Sequence, residues 1–530
     1  MFFQPPVPSY NVVTSVPAPV GGLNARDSLM AMPNSDAIVL NNWWPQPYGC
    51  SVRKGYTQWA SGFGTTVRTI QEWSNITGSS KLFAWDDYGM YDITTSGAIG
   101  APMVTGFTAS TVWSCAQVTN AAGNNLIAVN GADDGIIYKA SGVARLTAGD
   151  GIVVNTWAGL SPRNATQLTV HQHRLWAVQK NTASAWFLPP DAIQGTFKEY
   201  DFGPLFSRGG YLVFLATWTM DDNSGADDYL VGLSSSGEAV VYSGTDPEDP
   251  NAWQLLGVFY IGAPVSSKVA FCKASGDLLV LTQQGVVSMS AQIAARDASQ
   301  AETMLNSSKI QYLVSQAITA SAGYAGWDIK YFPADNMLLV NVPTLVSTRA
   351  YQLVVNQLIG AWAIFSGLPA SCWGSFGTKS FFGTAVGTVL QNWVGNTDNA
   401  AVNGTGGTSI TAEAQQAYTY FEKHAIQKQV SMYRPNFVLN KPIGMVSKIE
   451  YDFKSTLMVA PNAAPVPDSG VWDLSSWDIG KWGGGSFVQG SWVQAQGIGQ
   501  AASLRLTTQS DGEVLWISTD YSLISGEGIF

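Results

Sequence analysis

Five segments of this chain share one form, an apolar run, a polar turn and a second apolar run: residues 81–93, 125–138, 173–178, 228–242 and 276–289. They recur roughly every 45 to 55 residues, the spacing of β-propeller blades, whose hairpins bury their apolar faces only against neighbouring copies. The turns carry the chemistry a tight hairpin needs. Asp134-Gly135, Ser236-Gly237 and Gln284-Gly285 stand where the backbone must enter positive φ. The flanking runs are short and rich in Val, Ile, Leu and aromatic residues, which favours strands over helices. Residues 336–342 with 351–365, and residues 380–390 with Val386-Gly387 as the turn, read as further blades. The expected fold is all-β dominated: a β-propeller of six to eight blades with a helical insertion and an additional C-terminal β-rich domain.

At 530 residues the chain is long enough for two or three domains with sizeable cores. Only 12% of its residues are charged while 46% are hydrophobic, so part of the exterior is expected to be covered by partners. Apolar stretches reach only about eight residues, too few for a membrane-spanning helix. The opening Met-Phe-Phe-Gln-Pro-Pro lacks the basic region of a signal peptide, so synthesis in the cytoplasm is expected. Cys50, Cys115, Cys272 and Cys372 are far apart in apolar contexts and read as buried free thiols.

Along the chain, residues 1–60 read as an extended, Pro-rich arm with a short helix capped at Asn34 or Ser35, an assembly contact. Residues 61–290 hold the first part of the propeller. Residues 291–326 form a helical insertion in which Ile310, Leu313, Val314, Ala317 and Ile318 recur at helical spacing, a platform or interface element. Residues 327–395 close the propeller. Residues 396–530 form a C-terminal domain with Trp472, Trp477, Trp482 and Trp492 in Gly/Ser-rich sequence, rings suited to packing on a sheet or a neighbouring subunit.

Candidate chemistry is sparse. His171 and His173, two apart, would share a face on a strand as two metal ligands do, but the third histidine of the chain, His424, is distant. Residues 221–228 have the oxygen density of a calcium loop, with Gly at the fifth position and Gly232 where the bidentate glutamate belongs, so a solvated hairpin tip is the better reading. No nucleophile elbow, P-loop or zincin helix is present, and no carboxylate spacing singles out an acid and a nucleophile; no enzyme activity, cofactor or metal is expected. A net charge of −10 argues against a protein that grips nucleic acid by neutralising phosphates. The acids are concentrated: residues 209–267 contain no Lys or Arg but include Asp221, Asp222, Asp227, Asp228, Glu238, Asp246, Glu248 and Asp249.

Several motifs in order, Gly21-Gly-Leu-Asn-Ala-Arg-Asp27, Met32-Pro-Asn-Ser-Asp-Ala37, Asn42-Trp-Trp-Pro45, Arg53-Lys-Gly-Tyr56, Ser243-Gly-Thr-Asp-Pro247, Asn341-Val-Pro343, residues 355–362 and residues 428–435, make the chain resemble the tail nozzle, or tail tubular (hub), proteins of short-tailed bacteriophages. That resemblance implies a virion protein of the tail, a homo-oligomeric ring of about six copies beneath the portal and its adaptor. Its partners would be the adaptor and the tail fibre or needle proteins, with double-stranded DNA passing through the lumen unbound. Asp221, Asp222, Asp227 and Asp228 are the candidate channel-lining residues, since a negative lumen repels phosphate and keeps DNA moving. The alternative is a tail receptor protein whose propeller binds or cleaves glycans, which requires an aromatic-lined groove with convergent carboxylates. A third is a monomeric propeller acting as a cellular scaffold.

Overall fold

A computed structural model describes residues 12–75, 78–221, 226–265, 270–274, 276–294, 307–346, 350–401, 406–422, 424, 426–454, 458 and 487–525. The chain divides into two compact units, one of residues 58–352 and 368–392, the other of residues 1–57, 353–367 and 393–530.

The first of these units is the propeller. Its hairpins form because a polar side chain at each bend takes over backbone donors: Asp86 Oδ1 accepts the N–H groups of Tyr88 and Gly89, both at 2.8 Å, and Asn130 Oδ1 accepts those of Ala132 and Asp133 at 3.0 and 2.8 Å. Four blades follow in chain order. Their innermost strands are Thr69–Trp73, Ser114–Asn120, Ala165–His171 and Leu212–Asp221, and each sheet continues outward antiparallel through its fourth strand, the second adding two short parallel strands at its outer edge. A fifth blade is built from Ala370–Phe376, Lys379–Thr384 and Thr388–Asn392, and its fourth strand is Tyr56–Ser61 from before the first blade. Taking the outer strand from the opposite end of the sequence closes the ring.

Among the described residues the number of separate blades is therefore five, a correction to the six to eight read from the hairpins. Two of the hairpins counted as blades are not separate blades of this kind. Residues 271–288 make a sheet of only three strands, Phe271–Ala274, Asp277–Thr282 and Gly285–Ser288, and Asp328–Phe332 pairs with Met337–Pro343 at the end of a ten-stranded sheet that continues through Ala350–Asn356 and Ala361–Ser366, the pairing read for residues 336–342 and 351–365. Both lie in the ring between the fourth blade and the closing one, where Phe271–Ala274 packs beside Asp328–Phe332 and that strand beside Ala370–Phe376.

Blades adhere through apolar side chains that no single sheet could bury. Trp73, Phe83 and Trp85 meet Trp113, Leu126 and Ile136 between the first two blades; Trp176 and Phe187 meet Leu215, Val240 and Trp253 between the third and fourth. Leu278 and Val280 of the three-stranded sheet pack on Phe214 and Val231. At about 25 cal/mol per Å² of apolar area removed from water, such junctions are a strongly stabilising contribution to the unit. Helices Met289–Ala294 and Gln311–Ser321 occupy the expected insertion, and the longer buries Val314, Ala317 and Ile318.

The other unit corrects the expected N-terminal arm and the domain boundaries. No helix occurs among described residues 12–60. Val12–Pro17 pairs antiparallel with Val514–Ser525, and Asp36–Asn41, read as a capped helix, is a strand between Gly22–Leu23 and Thr408–Gln416. Its Ile38-Val39 pair favours extended backbone, and partners on both sides outweigh a local capping signal. One sheet runs Trp43–Gln46, Gly49–Val52, Val514–Ser525, Lys428–Leu439, Phe487–Gln489; a second contains Ala361–Ser366, Asp36–Asn41, Thr408–Gln416, Ala502–Ser510 and Gly444–Tyr451. Tyr521 Oη donates to Gln416 Oε1 across them at 2.8 Å. The C-terminal unit is thus assembled from three stretches of chain, including residues 353–367, expected in the propeller. Among the described residues no helix is long and apolar enough to cross a membrane.

Candidate functional site

The innermost strands of the propeller are stapled to one another by a repeated device near their starts. A polar side chain on one inner strand accepts a backbone N–H from the inner strand of the next blade. Thr69 Oγ1 accepts from Trp113 at 2.9 Å, Ser114 Oγ from Leu168 at 3.0 Å, Gln167 Oε1 from Leu215 at 3.1 Å, and Asp328 Oδ2 from Trp373 at 3.1 Å. Ser371 Oγ donates to Val67 O at 2.7 Å, joining the closing blade to the first. The first four satisfy a backbone N–H and the last a backbone carbonyl on the inner edges of the blades.

Within this ring lies an axial cavity of about 190 Å³, narrowed by the rings of Trp113, Phe271, Trp327 and Trp373. Its most unusual occupant is Asp328, 4% exposed, with Oδ1 accepting no hydrogen bond. Burial pushes its carboxyl up to about 6, with Lys330 and the N–H groups of Trp373 and Ile329 pulling the other way. The same Lys330 charge opposes the burial that raises Cys115, Cys272 and Cys372 to about 12. Three of the four expected free thiols thus lie in reach of one axial ammonium. All four cysteines are unpaired; Cys50, Cys272 and Cys372 are buried and Cys115 half-buried. Thiols held this high are not nucleophiles at neutral pH.

The predicted channel residues sit at the tip of the hairpin Leu212–Asp221/Ala226–Ser234. Asp222 lies outside the described residues, as does the centre of the calcium-loop reading, while Asp221 and Asp227 are placed by backbone alone, opposite Ala226 and Met220. Asp228 is half-buried and accepts a hydrogen bond from Thr219 Oγ1 at 2.6 Å. It faces a cleft of about 560 Å³ at the far end of the inner strands, shared with Gln117, Asn120, Gln172, His173, Asp191 and Thr217. Its charge raises His171 and Lys273 against the lowering that burial imposes on both.

The histidine pair does not form a ligand set. His171 ends its strand, buried, with Nδ1 3.3 Å from Thr217 Oγ1 and its acidity set by burial at about 4. His173 is in the following two-residue turn at φ 59°, 79% exposed and 3.4 Å from Asp191. A two-residue turn reverses the chain, so the shared face predicted for a continuous strand is lost. Among the described residues no three His, Cys, Asp or Glu side chains are grouped to hold a metal ion. The cleft carries Asp191 and Asp228, but none of its lining residues is Trp, Tyr or Phe.

Sequence reading missed Asp328, because nothing about an aspartate after Trp327 distinguishes a buried staple from a solvated strand start. It also missed the surface of the fourth blade. The outermost strand there, Trp253–Tyr260, carries no charge and exposes Leu255 (43%), Leu256 (52%), Val258 (39%) and Tyr260 (47%). An uncharged outer strand of this length is what proteins usually protect against pairing with other chains.

No protein-family model matches the chain, and no curated protein matches it. Solved structures similar to it include YCF48 bound to D1 peptide (9% identity, TM-score 0.34, covering 67% of this chain and 96% of that one). Others are the computationally designed Ika8 protein (10%, 0.34, 64% and 99%) and the β-propeller domain of Cps50 (Swd1) from Myceliophteria thermophila (13%, 0.37, 63% and 98%). The propeller assignment stands on the strand order given above.

Proposed function

We propose that the chain is a structural subunit of a short-tailed bacteriophage tail, copies of which close into a ring, about six in number, beneath the portal and its adaptor. Double-stranded DNA passes through the ring into the host without specific binding. The observation that carries this reading is the contrast between the inside and the outside of the propeller. The axis is filled by indole and phenyl rings around about 190 Å³, far too little for a duplex, so any conduit must run between copies and not through a blade ring. The exterior offers the uncharged strand Trp253–Tyr260 with four large apolar side chains exposed, a surface suited to neighbouring chains. The motifs of residues 21–56 agree with the tail resemblance. The glycan reading lacks support at the cleft, where carboxylates have no aromatic platform beside them. Negative-stain imaging of the chain coexpressed with its adaptor tests the proposal: closed rings with a central channel are expected. Single copies or open arrays in that preparation would overturn it.

A further inference from the structure

We infer that the apolar strand on the rim of the fourth blade receives, from a second copy of the chain, the loop of residues 149–155 on the rim of the second blade. The contact rests on the ring of copies proposed above and names the two surfaces that join in it. The loop links Gly142–Ala148 to Thr156–Ala158 at the outer side of its sheet and turns three branched apolar side chains in a row to solvent, Ile152 (83% exposed), Val153 (61%) and Val154 (67%). Hydrogen bonds hold them there. Asp150 Oδ1 accepts the N–H groups of Ile152 and Val153 at 2.8 and 3.0 Å, Gln194 Oε1 accepts that of Asn155 at 3.0 Å, and Thr156 Oγ1 donates to Val153 O at 2.6 Å. Gly151 turns at φ 76°, where a Cβ would lie 2.7 Å from the backbone of Gly195. A tip fixed in this way loses little entropy when a partner covers it.

The strand Trp253–Tyr260 offers the matching surface, uncharged and apolar through Leu255, Leu256, Val258 and Tyr260. Charge is complementary at the border of the two patches. Asp150, exposed, stands at the base of the tip, and Arg208, also exposed, holds its guanidinium 3.9 Å from the centroid of the Tyr260 ring at the end of the strand. Because the patches differ, joining them makes a head-to-tail contact, the kind that builds a ring when its rotation closes. Their angular separation suits closure. Five blades, the three-stranded sheet and the strand Asp328–Phe332 make seven positions around the propeller axis, so the second and fourth blades point outward roughly 100° apart. With propeller axes parallel to the ring axis, five copies require about 108° and six about 120° between the two contacts of one copy.

The test uses the full chain coexpressed with its adaptor. A chain carrying both Val153→Cys and Leu256→Cys, treated with a short bis-maleimide, should give a cross-linked ladder that ends at the copy number of the ring. Either substitution alone should give none, as should the parent, whose own thiols are buried or half-buried. Val153→Lys should lower ring yield at least about tenfold with Tm unchanged, because that side chain is exposed in the single copy and covered only in the ring. Rings that form without the ladder, dimers from either single variant, a cross-link from Val153→Cys to the adaptor, or parental ring yield from Val153→Lys would each overturn this contact while leaving the ring reading in place. Absence of rings from the parent chain would overturn both.

Discussion

Arg53 illustrates how one residue in a short motif can fix the meeting of distant chain segments. Its guanidinium, 2% exposed, forms a fork to both oxygens of Asp398 at 2.8 and 2.6 Å, donates to Asn42 Oδ1 at 2.9 Å and reaches Ser366 O at 2.8 Å. Gly55 two residues on is required by space, since a Cβ there would lie 1.9 Å from Thr397 O. Removing the cation would leave Asp398 with an uncompensated charge, so Arg53→Met should cost about 3–5 kcal/mol in urea unfolding, and Arg53→Lys should recover only part because it lacks the fork. A loss below about 1 kcal/mol would mean the pair is not the organising contact. Asp328 works in the opposite sense, because its folded acidity, about 6, lies above the unfolded value of 3.8. Well below pH 3.8 both states are protonated and nothing is lost. As pH rises through 6, the unfolded chain has ionised while the fold resists, so the penalty grows to about 3 kcal/mol and persists above. Asp328→Asn should therefore raise stability at pH 8 and change little at pH 4. His171, held neutral by burial down to about 4, loses stability as pH falls from 6.5 to 4, so the same variant should unfold more steeply on acidification than the parent. Unfolding free energies at pH 4, 6 and 8 decide this.

At the scale of elements, the edge strand Trp253–Tyr260 is the sharpest object for mutation. Leu256 is the extra residue of a bulge, skipped between Gly257, which pairs with Val241, and Leu255, which pairs with Tyr242. Both it and Val258 expose much of their surface, so Leu256→Lys with Val258→Lys should change monomer stability by less than about 1 kcal/mol. Assembly should fail, because the new charges would be buried unpaired against a neighbour. Rings of normal yield from this double variant would show that the strand is not an interface. The hairpins themselves were legible because turn residues and strand period act over a few positions. Trp85, Trp176 and Leu279, which fall in the apolar runs of those hairpins, are buried. What local reasoning could not reach was pairing at long range. Asp36–Asn41 carries a capping signal but is held by Gln415 and Gln416, and Tyr56–Ser61 completes a blade whose other strands begin at Ala370. The staple at Asp328 was invisible for the same reason, since its partner N–H belongs to Trp373.

For the whole molecule, the proposed conduit makes a claim about charge. The chain carries −10 overall, and each acid that faced the lumen of a cyclic ring would be repeated in every copy. Within one copy, the field of Asp228 is felt by His171 and Lys273 at the inner-strand ends, so this hairpin influences a cleft of its own propeller as well as whatever lies beyond it. The two roles separate by experiment. Changing Asp221, Asp222, Asp227 and Asp228 to Lys would turn a repelling tip into one that binds phosphate, eight units of charge per copy. If the tip lines the conduit, rings should still assemble, while genome ejection slows or stops at low salt and recovers at high salt, because screening shortens to about 3 Å at 1 M and releases DNA from the new cations. If the tip serves only its own cleft, ejection would proceed at the parental rate in low salt and the change would appear instead as a shift in the titration of His171. Normal ejection at low ionic strength with intact rings would therefore remove these four residues from the channel while leaving the ring itself standing.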